Sequence, residues 1–197
     1  MKKLLLLNIF LAFAWVAWAQ NDILLNLNEQ RLQKQKVSML VLGGWAVGNI
    51  AVGSVLAGQR EGVDKNFHLM NAGWNVVNLG LATLGYINAV KTDPASLDTY
   101  ATIQAQGSIE KILLLNTGLD VGYMLGGLYL IERSKNATKN PERLEGFGKS
   151  IILQGGFLFV FDLAAYFVHA KTRSGVWQDM LTSVYFDGSQ VGLVLQF

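Results

Sequence analysis

Cysteine is absent from the chain, which excludes disulfides, thiol nucleophiles and cysteine-built zinc sites. Histidine occurs only at His68 and His169, with no HExxH pairing, so no metal site is expected. Charge is sparse. Asp, Glu, Lys and Arg make up 15% of the residues, against about 25% in an ordinary soluble domain. Lys2 and Lys3 account for the formal charge of +2. The remainder is neutral and lacks the basic surface that a nucleic-acid partner needs. A phosphate-binding loop is missing too. GFGKS at 146–150 has Arg143 where that motif requires its first glycine. Gly146 and Gly148 read instead as a flexible lead-in to the last helix, and no cofactor is expected.

What is present is apolar. Hydrophobic residues make up 51% of the chain and gather into long runs. MKKLLLLNIFLAFAWVAWAQ has a basic start, an apolar core and small residues at Ala17 and Ala19, the pattern of a signal peptide over 1–19 cleaved after Ala19. An uncleaved anchor is the rival reading, since the two differ mainly in apolar length. Four later runs, 37–57, 67–89, 112–131 and 150–169, are each about 20 residues, enough to cross a hydrocarbon core of about 30 Å as helices. Short polar connections favour antiparallel neighbours. The expected fold is all-α, an up-and-down bundle of four transmembrane helices in a domain spanning 20–171. Asp93 and Pro94 predict the cap and first residue of a short interfacial helix carrying Leu97, Tyr100 and Ala101 on one face. In the tail, 172–197, β-branched and aromatic residues flank Asp187-Gly188 and predict a β-hairpin.

Lysines and arginines divide evenly between the two sets of connections, so orientation rests on the N-terminus. Lys2 and Lys3 stay in the cytoplasm on that reading. The expected location is the bacterial inner membrane, with the mature N-terminus and C-terminal tail on the periplasmic side.

Polar residues inside such runs are costly in lipid and turn toward protein or an aqueous cavity. On the third run Asn116, Asp120 and Tyr123 share one face, within about 60°. Asn71, Asn75 and Asn78 share a face of the second run, and Gln154, Asp162 and His169 one of the fourth. Counted from the outer helix ends, Asp120 and Asp162 both lie about 11 to 12 Å deep. Asn49 and Asn78 fall only about one turn deeper. The expected intramembrane polar cluster is therefore Asp120, Asp162, Asn49, Asn78, Asn75 and Asn116. No lysine or arginine falls inside any run to pair with the acids. Two readings fit: a hydrogen-bonded clasp between helices, or a site for a proton, cation or small polar solute.

Gly118, Gly122 and Gly126 form a second stripe on the third run, and Gly44 and Gly48 repeat the spacing on the first. Such spacing lets helix backbones approach closely. Packing within one bundle is the default, and contact with a second copy or another membrane protein the alternative.

A signal peptide, four glycine-rich runs holding Asn and Asp, and a closing GLVLQF together resemble small uncharacterised membrane proteins of Bacteroidota, of a domain-of-unknown-function type. That resemblance implies no activity. The leading expectation is a non-enzymatic packing or assembly protein with the lipid bilayer as its surroundings. The alternative is a small transporter or channel component using Asp120 and Asp162. An enzyme is not expected, because no nucleophile and base are paired.

Overall fold

A computed structural model describes the backbone of residues 2–181, 184–186 and 191–193, and side-chain surroundings for 24–172. The cleavage position expected after Ala19 lies outside the residues whose surroundings are described. Four helices carry the fold: α1 (Lys2–Gln59), α2 (Gly62–Lys91), α3 (Thr99–Ser134) and α4 (Pro141–Leu181). Two three-residue strands, β1 (Val184–Phe186) and β2 (Val191–Leu193), pair antiparallel on either side of Asp187-Gly188.

Local chemistry sets the helix ends. Gly62 opens α2 with φ +59°, a left-handed conformation that glycine adopts without steric cost, so Arg60 and Glu61 suffice to reverse the chain. Asp93 accepts a hydrogen bond from the Ala95 N–H (3.0 Å) and starts a single 3-10 turn, Pro94–Ser96. Two residues later Asp98 accepts from the Ala101 N–H (2.7 Å) and caps α3. The separate interfacial helix is thus corrected. Its Tyr100 and Ala101 belong to the first turn of α3, because Asp98 supplies a second cap.

The helices also outrun the apolar segments. α1 continues upstream of residue 37, and α3 begins 13 residues before 112. Polarity made these extensions read as connections, yet Asn28, Arg31, Thr102 and Glu110 are buried in them, against one another and against α4.

α1 runs antiparallel to α2, as the approach of Gly53 to His68 and of Gly85 to Met39 requires. α3 and α4 pair in the same way, Gly127 against Gly148 and Asp120 against Gly155. The hairpins join through α2 and α4, which run parallel, with Val63 beside Gly146 and Asn71 beside Gln154. α1 and α3 flank this central pair and meet mainly at their N-terminal extensions, through Asn28 and Thr102.

Closest approaches fall at glycines outside the expected stripes. A Cβ on Gly127 would stand 2.7 Å from the Gly148 carbonyl oxygen, and one on Gly146 2.5 Å from that of Val63. Gly44, Gly48, Gly118, Gly122 and Gly126 have nothing within 4 Å of an added Cβ. Their spacing marks a stripe but not the face that meets a neighbour, and packing within the described chain does not use them. Gly146 and Gly148 likewise belong to α4 and serve as contact points, not as a flexible lead-in.

The interior is polar and the exterior apolar. Among the described residues fifteen polar or charged residues are buried against eight apolar ones, five of those alanine, while 29 large apolar side chains are exposed. A soluble domain shows the reverse. By length and composition two helices, Leu24–Gln59 and Pro141–Thr172, are apolar enough to cross a membrane. α2 is diluted by Asn71, Asn75, Asn78 and Asn88.

Candidate functional site

Three polar levels stack along the bundle. The first joins α1, α2 and α4 near the middle. Gln154, wholly buried, accepts from the Trp45 indole N–H (2.9 Å) and donates to Asn71 Oδ1. Asn71 donates to Asn49 Oδ1 (2.6 Å), and Asn49 donates to the Trp45 carbonyl (2.8 Å). Asn75 donates to the Asn71 carbonyl (2.8 Å) and Asn78 to Asn75 Oδ1 (3.4 Å). Amides suit this level because each both donates and accepts, so a ring of them can close on itself. Trp45 stacks flat on Phe157, ring centroids 3.9 Å apart, which holds its N–H toward Gln154.

The second level is a cavity of about 540 Å³ walled by all four helices. Asp120 and Asp162 face it within hydrogen-bonding reach of one another, and Asn116 stands within reach of Asp162. Asn78 reaches it from α2, and Gln35 and Ser38 from α1. The rest of the wall is mainly apolar and includes Leu42, Leu81, Ile112 and Phe161. Trp74 of α2 and Tyr123 of α3 meet edge to face, centroids 5.0 Å apart, and also line it. Among the described residues no lysine or arginine does. Asp120, only 2% exposed, keeps Oδ2 buried without a hydrogen-bond partner.

The third level lies beyond the cavity, where the N-terminal extensions of α1 and α3 meet α4 around His169 and Thr172. Asn28 donates to Thr102 (2.9 Å), Arg31 to Asn28 (3.3 Å) and Lys34 to Thr172. Gln106 bridges Glu110 Oε1 (3.0 Å) and the His169 carbonyl (2.9 Å). Burial holds the Arg31 guanidinium below its usual range, and burial with nearby Lys171 does the same to the Lys34 ammonium. Both precede the apolar run 37–57. His169, 2% exposed and lining the cavity, has a buried Nδ1 without a partner and lies in electrostatic reach of Lys34, Glu110 and Arg31.

Six residues expected in one cluster therefore divide. Asp120, Asp162, Asn116 and Asn78 gather at the cavity, whereas Asn49 and Asn75 belong to the amide level below it. Register explains the split: Asn49 lies opposite Asn71, not Asn78. Hydropathy fixes how long a helix is but not how far it slides against its neighbour. Gln154 and Asn71, the centre of the amide level, were legible as polar face residues and carried no stronger signal. Arg31, Lys34, Gln106 and Glu110 carried none, since charged residues outside an apolar run read as solvated.

These features define a class: a four-helix protein with an inverted polarity pattern and an acidic pocket that opens between its helices, past the exposed Leu81 and Ile112. The chain belongs to the family of unknown function DUF6992, which it matches over residues 41–163, a stretch that includes Asp120 and Asp162. Comparison with curated proteins and with solved structures gives no match.

Proposed function

We propose that this chain is an integral membrane protein with a binding role rather than a catalytic one, its cavity taking a small polar or cationic solute. The observation that carries this reading is the pair Asp120 and Asp162 in a wall that has no lysine or arginine among the described residues. Two adjacent acids without a protein cation favour a positive charge from outside, a proton included. Membrane integration is supported by the apolar exterior over a polar interior, since lipid inverts the usual reason for burying apolar side chains. The signal-like N-terminus supports a bacterial inner-membrane location with the tail on the periplasmic side.

Pure protein in liposomes should pass protons or small cations down an imposed gradient, and Asp120→Asn with Asp162→Asn should abolish that flux. A wild type that carries nothing and binds nothing removes the reading. A second reading, assembly with another copy or with a membrane partner, is favoured by the outward-open glycines of α3 and α1. It predicts a mass in mild detergent above one chain.

A further inference from the structure

Resting on the solute-cavity reading and narrowing it, we infer that the preferred occupant is an organic ammonium with an apolar body, not a bare inorganic ion. Three observations meet here. First, the acceptors are gathered, not spread. Asp120, Asp162 and Asn116 stand together, while Leu42, Leu81, Ile112 and Phe161 form much of the remaining wall. A dehydrated inorganic cation such as calcium takes six to eight oxygens arranged around it. An alkylammonium needs acceptors on one side only, because its three N–H groups point away from its carbon stem.

Second, a cavity of about 540 Å³ falls in the usual range for small organic ligands, about 300 to 1,000 Å³, and far exceeds what one ion fills. Trp74 and Tyr123 add two ring systems to the same wall, and an ammonium is drawn to ring faces within about 6 Å.

Third, two deeply buried side chains in this wall have polar atoms left over. Asp120 Oδ2 has no donor group bonded to it among the described residues, its neighbour Asp162 being a second acid, and His169 Nδ1 has no hydrogen-bond partner. Buried polar atoms are nearly always bonded, so each orphan marks a place where something else bonds. The Asp120 oxygen would accept from the ammonium. His169 is seven residues along α4 from Asp162, about 10 Å on a helix. Its free nitrogen would meet a polar group at the ligand's far end.

The test uses the full-length chain in phosphatidylcholine nanodiscs, with calorimetry and tryptophan fluorescence as readouts. Hexylammonium, neutral 1-hexanol and sodium are the probes. Hexylammonium should bind saturably, at least tenfold tighter than 1-hexanol or sodium, and Asp120→Asn should weaken it at least tenfold. Asp162→Asn serves if Asp120→Asn does not fold, and the contrast with 1-hexanol in the wild type needs no variant. Equal binding of 1-hexanol overturns the inference, as does binding unchanged in the acid variants. Sodium or proton flux in the liposome assay that is lost in the acid variants, without hexylammonium binding in nanodiscs, overturns the inference and leaves the solute reading standing. No binding by any probe and no flux remove both.

Discussion

The two ends of the bundle are built differently from the same four helices. Toward the α1–α2 and α3–α4 turns, backbone meets backbone: Gly53 at the His68 carbonyl, Gly146 at that of Val63, Gly127 and Gly148 at each other. Toward the other end the helices stand apart around a cavity and meet through side chains, among them Asn28 with Thr102 and Trp74 with Tyr123. Gly85 in this half faces a flexible Met39 thioether, and the backbone approach at the cavity's level is that of Gly155 to the Asp120 carbonyl within the α3–α4 pair. Residue size at the crossing points sets helix separation. Glycine draws helices together, and leucine, isoleucine and phenylalanine hold them open. One end is a clamp, and the other is free to hold something.

The strongest way to break this contrast is to fill the clamp. Gly146→Val puts side-chain atoms onto the Val63 carbonyl and the Phe67 amide and should cost about 3 kcal/mol, at the upper end of overpacking penalties. Unfolding in detergent measures it, and a loss near zero would mean that the clamp yields. Gln154→Leu comes next, at about 2 kcal/mol, because the Trp45 N–H and Asn71 Oδ1 lose a buried partner. The same unfolding assay reads it, and the near-ultraviolet signal of Trp45 should change with it. Gly118→Ala and Gly122→Ala should have the smallest effect, within about 0.5 kcal/mol of wild type, as surface changes usually do. A larger loss, or a change of mass in detergent, would show that another chain covers this face and would favour the assembly reading.

How much of this was legible in the sequence depends on which physical quantity each feature needs. Helix rise is constant, so counting turns was enough to bring Asp120 level with Asp162. The four helices follow from apolar length in the same way. Register between helices is not periodic, and it placed Asn49 with Asn71 and Gln154, one level away from Asp120. Glycine spacing is equally blind to facing. Gly118, Gly122 and Gly126 keep the expected interval and look outward, while Gly127, one residue on, makes the contact. The buried charges beyond the cavity were invisible for another reason. Arg31 and Glu110 are polar residues in polar stretches, and only the meeting of α1, α3 and α4 removes them from water.

The amide level also imposes an order in time. Asn71 finds Asn49 only 22 positions away, within the first hairpin, but its side-chain Oδ1 waits for Gln154, 83 positions later in the chain. While the polypeptide is being synthesised, Asn71 therefore emerges with one of its two inter-helix side-chain hydrogen bonds unmade. The first hairpin is an unfinished piece until α4 arrives. Asn75 and Asn78 are served within α2 itself, so the bond to Gln154 is the one that the last helix brings.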